Sequence, residues 1–95
     1  MSDLPSGSDF AGCMGTTFRV HASEEGREAV TLIEVKELGS SGPREQFSLV
    51  FRGGKGDHLP QRTYRMEHEE LGRMDLFLVP IGPDDEGMRY QAVFA

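Results

Sequence analysis

Residues 51–68, FRGGKGDHLPQRTYRMEH, place three glycines, a lysine, three arginines and two histidines directly after an apolar run. Such a set could cradle a phosphate, bind a metal or make a turn. A nucleotide-binding phosphate loop, G-x-x-x-x-G-K-[ST], needs Ser or Thr after its lysine and then a helix, because the hydroxyl and the helix N-terminus complete the cradle. Here Gly56 follows Lys55, and an alternating, strand-like segment comes next. The likeness is one of composition, and the stretch reads as a turn. What it retains is Gly-rich backbone able to meet an anion with help from nearby cations. Arg52, Lys55, His58 and Arg62 are therefore the candidate ligand-binding residues.

Metal binding needs donors that converge. His21, His58 and His68 share no HExxH spacing, and the single Cys13 forms no Cys-pair signature, so no metal site is expected. GPDDEG, residues 82–87, gathers three acids in four residues, without the D-x-[DN]-x-[DN]-G spread and closing Glu of a calcium loop. It reads as a hairpin tip in which Asp84 or Asp85 tolerates the turn. The serines lack a G-x-S-x-G elbow. No catalytic residue and no cofactor are expected. His68 is expected to be a buried hydrogen-bonder that ties down the EELGR turn.

The elements around these residues follow a period of two. TTFRVHA sets Phe18 and Val20 against Arg19 and His21, and FSLVFR sets Phe47, Leu49 and Phe51 against Ser48 and Arg52, with Val50 the apolar exception. TYRMEH and MRYQAVF alternate in the same way. AVTLIEVKEL changes parity between Leu32 and Ile33, the mark of a β-bulge or a bend. LFLVPI is apolar on both parities, as though covered on both faces by the N-terminal helix or a partner chain. Pro80 cannot donate to a ladder and belongs near a strand end or on an unpaired side. Before the first strand, SDFAGCMG offers a capping Ser8 or Asp9, Phe10 and Met14 four apart, and Gly15 as a stop, which predicts a short helix plugging one end of the core.

Short strands joined by Gly-containing links predict an all-β fold, a six-stranded antiparallel barrel or sandwich with a short N-terminal helix. Residues 1–7 are expected to be a flexible leader and 8–95 a single small β domain. Twelve residues should be largely buried: Phe18, Val20, Leu32, Phe47, Leu49, Phe51, Tyr64, Met66, Leu76, Leu78, Tyr90 and Phe94.

The 95 residues carry a net charge of −6, which opposes binding to phosphate backbones, and no apolar run approaches the ~20 residues that cross a bilayer. Neither nucleic acid nor membrane is an expected partner. MSDLPSGSDF lacks the features of a signal peptide, and a lone cysteine suits a reducing compartment, so a cytoplasmic location is expected. Cys13, without basic neighbours, reads as a buried apolar side chain.

Taken together, GTTFRV, FSLVFRGG, LPQRTYRMEHEELG, LFLVPIGPDDEG and RYQAVF resemble a family of small bacterial proteins known as a domain of unknown function, over about Phe10 to Phe94. The family pattern has Leu where this chain has Met14, Gly at Arg62 and Pro at Glu69. The resemblance implies no established activity. The family's occurrence beside genes for phage-tail-collar-like proteins implies a structural or adaptor role.

The resulting expectation is a non-enzymatic interaction module, an adaptor or structural subunit of a larger, phage-tail-like protein assembly, with a protein partner or homo-oligomer as its state. Contact would be made through exposed strand edges, with Arg89 and Gln91 of the last strand near the interface, or through LFLVPI. The alternative is a small-ligand or glycan-binding module using the Arg52 to Arg65 loop. An exposed apolar patch favours assembly, and a concave site with converging Arg52, Lys55, His58 and Arg62 favours a ligand.

Overall fold

A computed structural model describes residues 5–22, 27–41, 44–55 and 59–94. It contains a short helix, α1 (Gly7–Ala11), and six strands: β1 (Thr17–His21), β2 (Arg27–Ser41), β3 (Arg44–Arg52), β4 (Arg62–His68), β5 (Gly72–Pro83) and β6 (Met88–Phe94). Every pairing is antiparallel, and the order β1-β2-β3-β6-β5-β4 closes into a barrel when β4 bonds back to β1 through Arg19↔Glu67 and Val20↔Met66. Of the two architectures that alternation allows, the chain adopts the barrel. The fold is two three-stranded meanders, β1-β2-β3 and β4-β5-β6, joined along β3–β6 and β1–β4.

The inward parity of each strand fills the interior with side chains. Eleven of the twelve residues expected in the core are buried, and Phe94 is half-buried. A fully buried Phe or Leu contributes about 1.5 to 3 kcal/mol relative to leaving it exposed. In β2 the expected bulge lies between Leu32 and Glu34. It returns Val35 to the inner face opposite Leu49, which explains the change of parity.

Helix α1 covers the end of the barrel where Phe47 and Phe94 stack at 4.4 Å, and its Phe10 is fully buried against both rings and Phe18. Its cap is Ser6, and not Ser8 or Asp9. The Asp9 N–H donates to Ser6 Oγ at 3.2 Å while the Ser6 N–H donates to the Asp9 carboxylate at 3.0 Å, a reciprocal capping box. The helix ends at Ala11, so the four-residue spacing to Met14 has no helix to act through and Met14 is exposed.

Within the chain LFLVPI is covered on one face only, so α1 is not the cover expected for its second face. Leu76 and Leu78 point inward, Phe77 is 50% exposed, and α1 packs against β2 and β3 rather than over β5. Pro80 sits beside the bulge between Pro80 and Gly82, where Gly82 takes a left-handed φ of 103° and interrupts the ladder.

Candidate functional site

The opening stretch is built into the barrel at the end of β3. Leu59 is buried, and its N–H donates to the Tyr90 hydroxyl at 2.9 Å; the Tyr64 hydroxyl donates to the Pro60 carbonyl at 2.6 Å. Burial pushes the Tyr64 hydroxyl pKa upward, keeping it a donor. Leu59 and Pro60 are thus each held by one tyrosine, Tyr90 and Tyr64 in turn.

The four candidate cations have separate placements. Arg52, at the end of β3, reaches the β5–β6 turn: its Nε donates to Asp84 Oδ2 at 2.9 Å, its Nη2 also meets Asp84, and its Nη1 lies 2.9 Å from Glu86 Oε1. Arg62 lies over the Tyr64 ring, 5.0 Å from its centroid, and Lys55 is exposed. His58 lies outside the described residues. Arg52 and Arg62 thus serve different neighbours.

Asp84 is the centre of the turn that had invited calcium. Its Oδ1 accepts from the N–H groups of Glu86 (2.8 Å) and Gly87 (3.0 Å), and the Asp84 N–H donates to the Gly87 carbonyl. The hydrogen bond from Arg52, then these backbone bonds, hold the Asp84 carboxyl down to a pKa of about 2. Gly87 is required here because a Cβ would collide with the Gly53 carbonyl oxygen, while Gly53 N–H donates to the Met88 carbonyl at 2.7 Å. GPDDEG is an Asx-type turn clamped to β3.

A second polar group was not legible in the sequence. Cys13, His68 and Glu70 bring ligand-type atoms within 4.8 Å of one another. His68 Nδ1 accepts from the N–H groups of Glu70 (3.0 Å) and Leu71 (3.2 Å), which fixes the EELGR turn as expected. Its Nε2 lies 2.8 Å from Thr16 Oγ1, whose hydroxyl donates to the Cys13 carbonyl. Nδ1 is occupied as an acceptor, so the ring proton is on Nε2 and neither nitrogen offers a lone pair to a metal. Burial first, and then the charges of Glu70 and Asp9, push the Cys13 thiol upward, away from the thiolate a metal needs. This donor set ties the link between α1 and β1 to the β4–β5 turn and does not fit a metal ion.

The outer faces of β5 and β6 present a different surface. Gln91 lies in register between Val50 and Val79, and Phe77 and Val93 are the next outward residues along the two strands. Phe77 and Val93 are 50% and 56% exposed, Ile81 is exposed farther along β5, and Val79 is half-buried. Gln91 is thus at the middle of an apolar face. Arg89 stands at its end, where its Nε donates to the Gly82 carbonyl at 3.3 Å. Both residues belong to a strand bonded on each side, so the expected edge contact through β6 has no open edge to use. Elsewhere, among the described residues, one open groove of about 310 Å³ is lined by Thr17, Arg19, Glu67 and Glu69, and one of about 240 Å³ by Gly7, Ser8, Ala11, Val35 and Glu37.

These features define a small closed antiparallel β-barrel with a helical plug, whose turns are held by its own polar side chains. The chain belongs to the family described as Domain of unknown function (DUF6916), whose model matches residues 5–94. No curated protein and no solved structure matches it. Among the described residues, no helix is long and apolar enough to cross a membrane.

Proposed function

We propose that this barrel is a non-enzymatic interaction module, an adaptor or structural subunit of a larger protein assembly, acting in the bacterial cytoplasm. Its contact surface is the outer face of β5 and β6. The observation that carries this reading is the exposed pair Phe77 and Val93 flanking Val79 and Gln91, since large apolar side chains gathered on one sheet face favour a protein partner. The polar groups fit the same reading, because Arg52, Asp84, His68, Tyr64 and Tyr90 are engaged in holding turns. A ligand site built from Arg52 and Arg62 would first have to release them from those contacts.

The test compares the wild-type chain with Phe77→Ser/Val93→Ser as baits in lysate of the native host. Both side chains face outward, so the variant keeps its melting temperature. Loss of a stoichiometric protein that the wild type retains is the expected result. Identical retention by the two baits, or saturable small-ligand binding abolished by Arg52→Ala, would overturn the proposal.

A further inference from the structure

Closure of the barrel leaves one long strand incompletely paired. Strand β2 bonds to β1 only as far as Thr31, and Leu32 continues on that side by accepting from Gly15 N–H and donating to the Thr16 carbonyl. Beyond Leu32, residues 34–41 are paired with β3 alone. Which backbone groups point outward follows from alternation. Gly53 N–H bonds toward β6, so Phe51, Leu49 and Phe47 also direct their backbone groups toward β6, whereas Val50 and Ser48 face β2. Glu34 and Lys36, opposite Val50 and Ser48, are therefore bonded to β3. Val35 and Glu37 turn their N–H and C=O groups away from it. Beyond the β2–β3 ladder, neither has a backbone partner among the described residues. This side of β2 opens onto the groove of about 240 Å³ between Val35, Glu37 and the small residues Gly7, Ser8 and Ala11 of α1.

We propose that two copies of this chain pair antiparallel through this edge of β2, about a two-fold axis at Val35. Charge selects the register. An axis at Lys36 would set Lys36 against its own copy, and an axis at Glu37 would set two glutamates together. An axis at Val35 places Glu34 of each copy opposite Lys36 of the other, twice over, and brings the two Val35 residues together so that they exchange two backbone bonds. Glu34 and Lys36 are both exposed, and no ion pair within the described chain uses them. Soluble proteins guard an unpaired edge with charge, bulges or a covering helix, or use it for pairing; α1 flanks this edge across the groove, and the alternating Glu34–Lys36 pattern repels a second copy in two registers while accepting it in one. This interface is separate from the β5–β6 face, and either can fail without the other.

Sedimentation velocity over a concentration series tests the pairing with the wild type, Lys36→Glu, Glu34→Lys, and an equal mixture of the two variants. The wild type dimerises. Each single variant turns two attractive pairs into two like-charge pairs and weakens the dimer roughly tenfold or more. The mixture regains wild-type affinity as a heterodimer, because every facing pair is again Glu with Lys. Amide exchange supplies an independent readout: the Val35 N–H slows as protein concentration rises. A wild type that stays monomeric, variants that dimerise as it does, a mixture that stays monomeric, or a concentration-independent Val35 exchange rate would each overturn the proposal.

Discussion

The guanidinium of Arg52 is forked onto the carboxylate of Asp84, with Nε 3.1 Å from Oδ1 and 2.9 Å from Oδ2, so the last residue of β3 holds the turn between β5 and β6. Asp84 is simultaneously an acceptor for the Glu86 and Gly87 amides. A folded-state pKa of about 2, below the ordinary value of 3.8, means that the ionised form is favoured by folding. Its contribution to stability is fully present above pH ~4 and is lost as pH falls through about 2. Asp84→Asn should lower the melting temperature at neutral pH, and the gap to wild type should close progressively as melts are repeated from pH 4 down to pH 2. A gap that stays constant to the lowest pH would mean that the Asp84 charge contributes nothing.

Phe10 is fully buried against Phe18, Phe47 and Phe94, although it lies on a helix of only five residues. So short a helix does not persist by its own hydrogen bonds, and its place depends on this one ring. Phe10→Ala should cost about 3 to 5 kcal/mol in urea unfolding, comparable to Phe51→Ala in the barrel centre. An unchanged midpoint for Phe10→Ala would show that α1 is not part of the cooperative core.

His68→Phe keeps a ring of similar size beside Phe18, 4.3 Å away, but leaves the Glu70 and Leu71 amides without their acceptor. The expected loss is about 1 to 3 kcal/mol, with faster exchange at those two amides. A metal chelator should leave the wild-type melting temperature where it was, because both His68 nitrogens are engaged within the chain. A fall restored by added zinc would assign Cys13, His68 and Glu70 to a metal after all.

Much of this fold was present in the pattern of residues. Alternation about Phe18, Leu49, Met66 and Tyr90 gave the inward face of the strands, and the change of parity after Leu32 gave the bulge. Both are local consequences of a side-chain period of two. The clusters of Gly, Pro and Asp located the turns for the same reason. Alternation does not say which strands become neighbours. Arg19 meets Glu67, and Phe47 meets Phe94, only because the two meanders curl until β1 reaches β4 and β3 reaches β6. That closure, and not any local signal, removed the edge expected at Arg89 and Gln91. Because β1 ends its pairing at Thr31 while β2 runs on to Ser41, closure also left the edge at Val35. The meeting of Cys13, Thr16, His68 and Glu70 belongs to tertiary structure too, since the link between α1 and β1 and the β4–β5 turn share no sequence neighbourhood. LFLVPI shows the same division from the other side. Its hydrophobicity was plain, but only the placement of α1 over β2 and β3 decided that Phe77 faces outward uncovered by the helix. Sequence sets which groups seek burial; the three-dimensional closure of the sheet decides which of them find it within one chain.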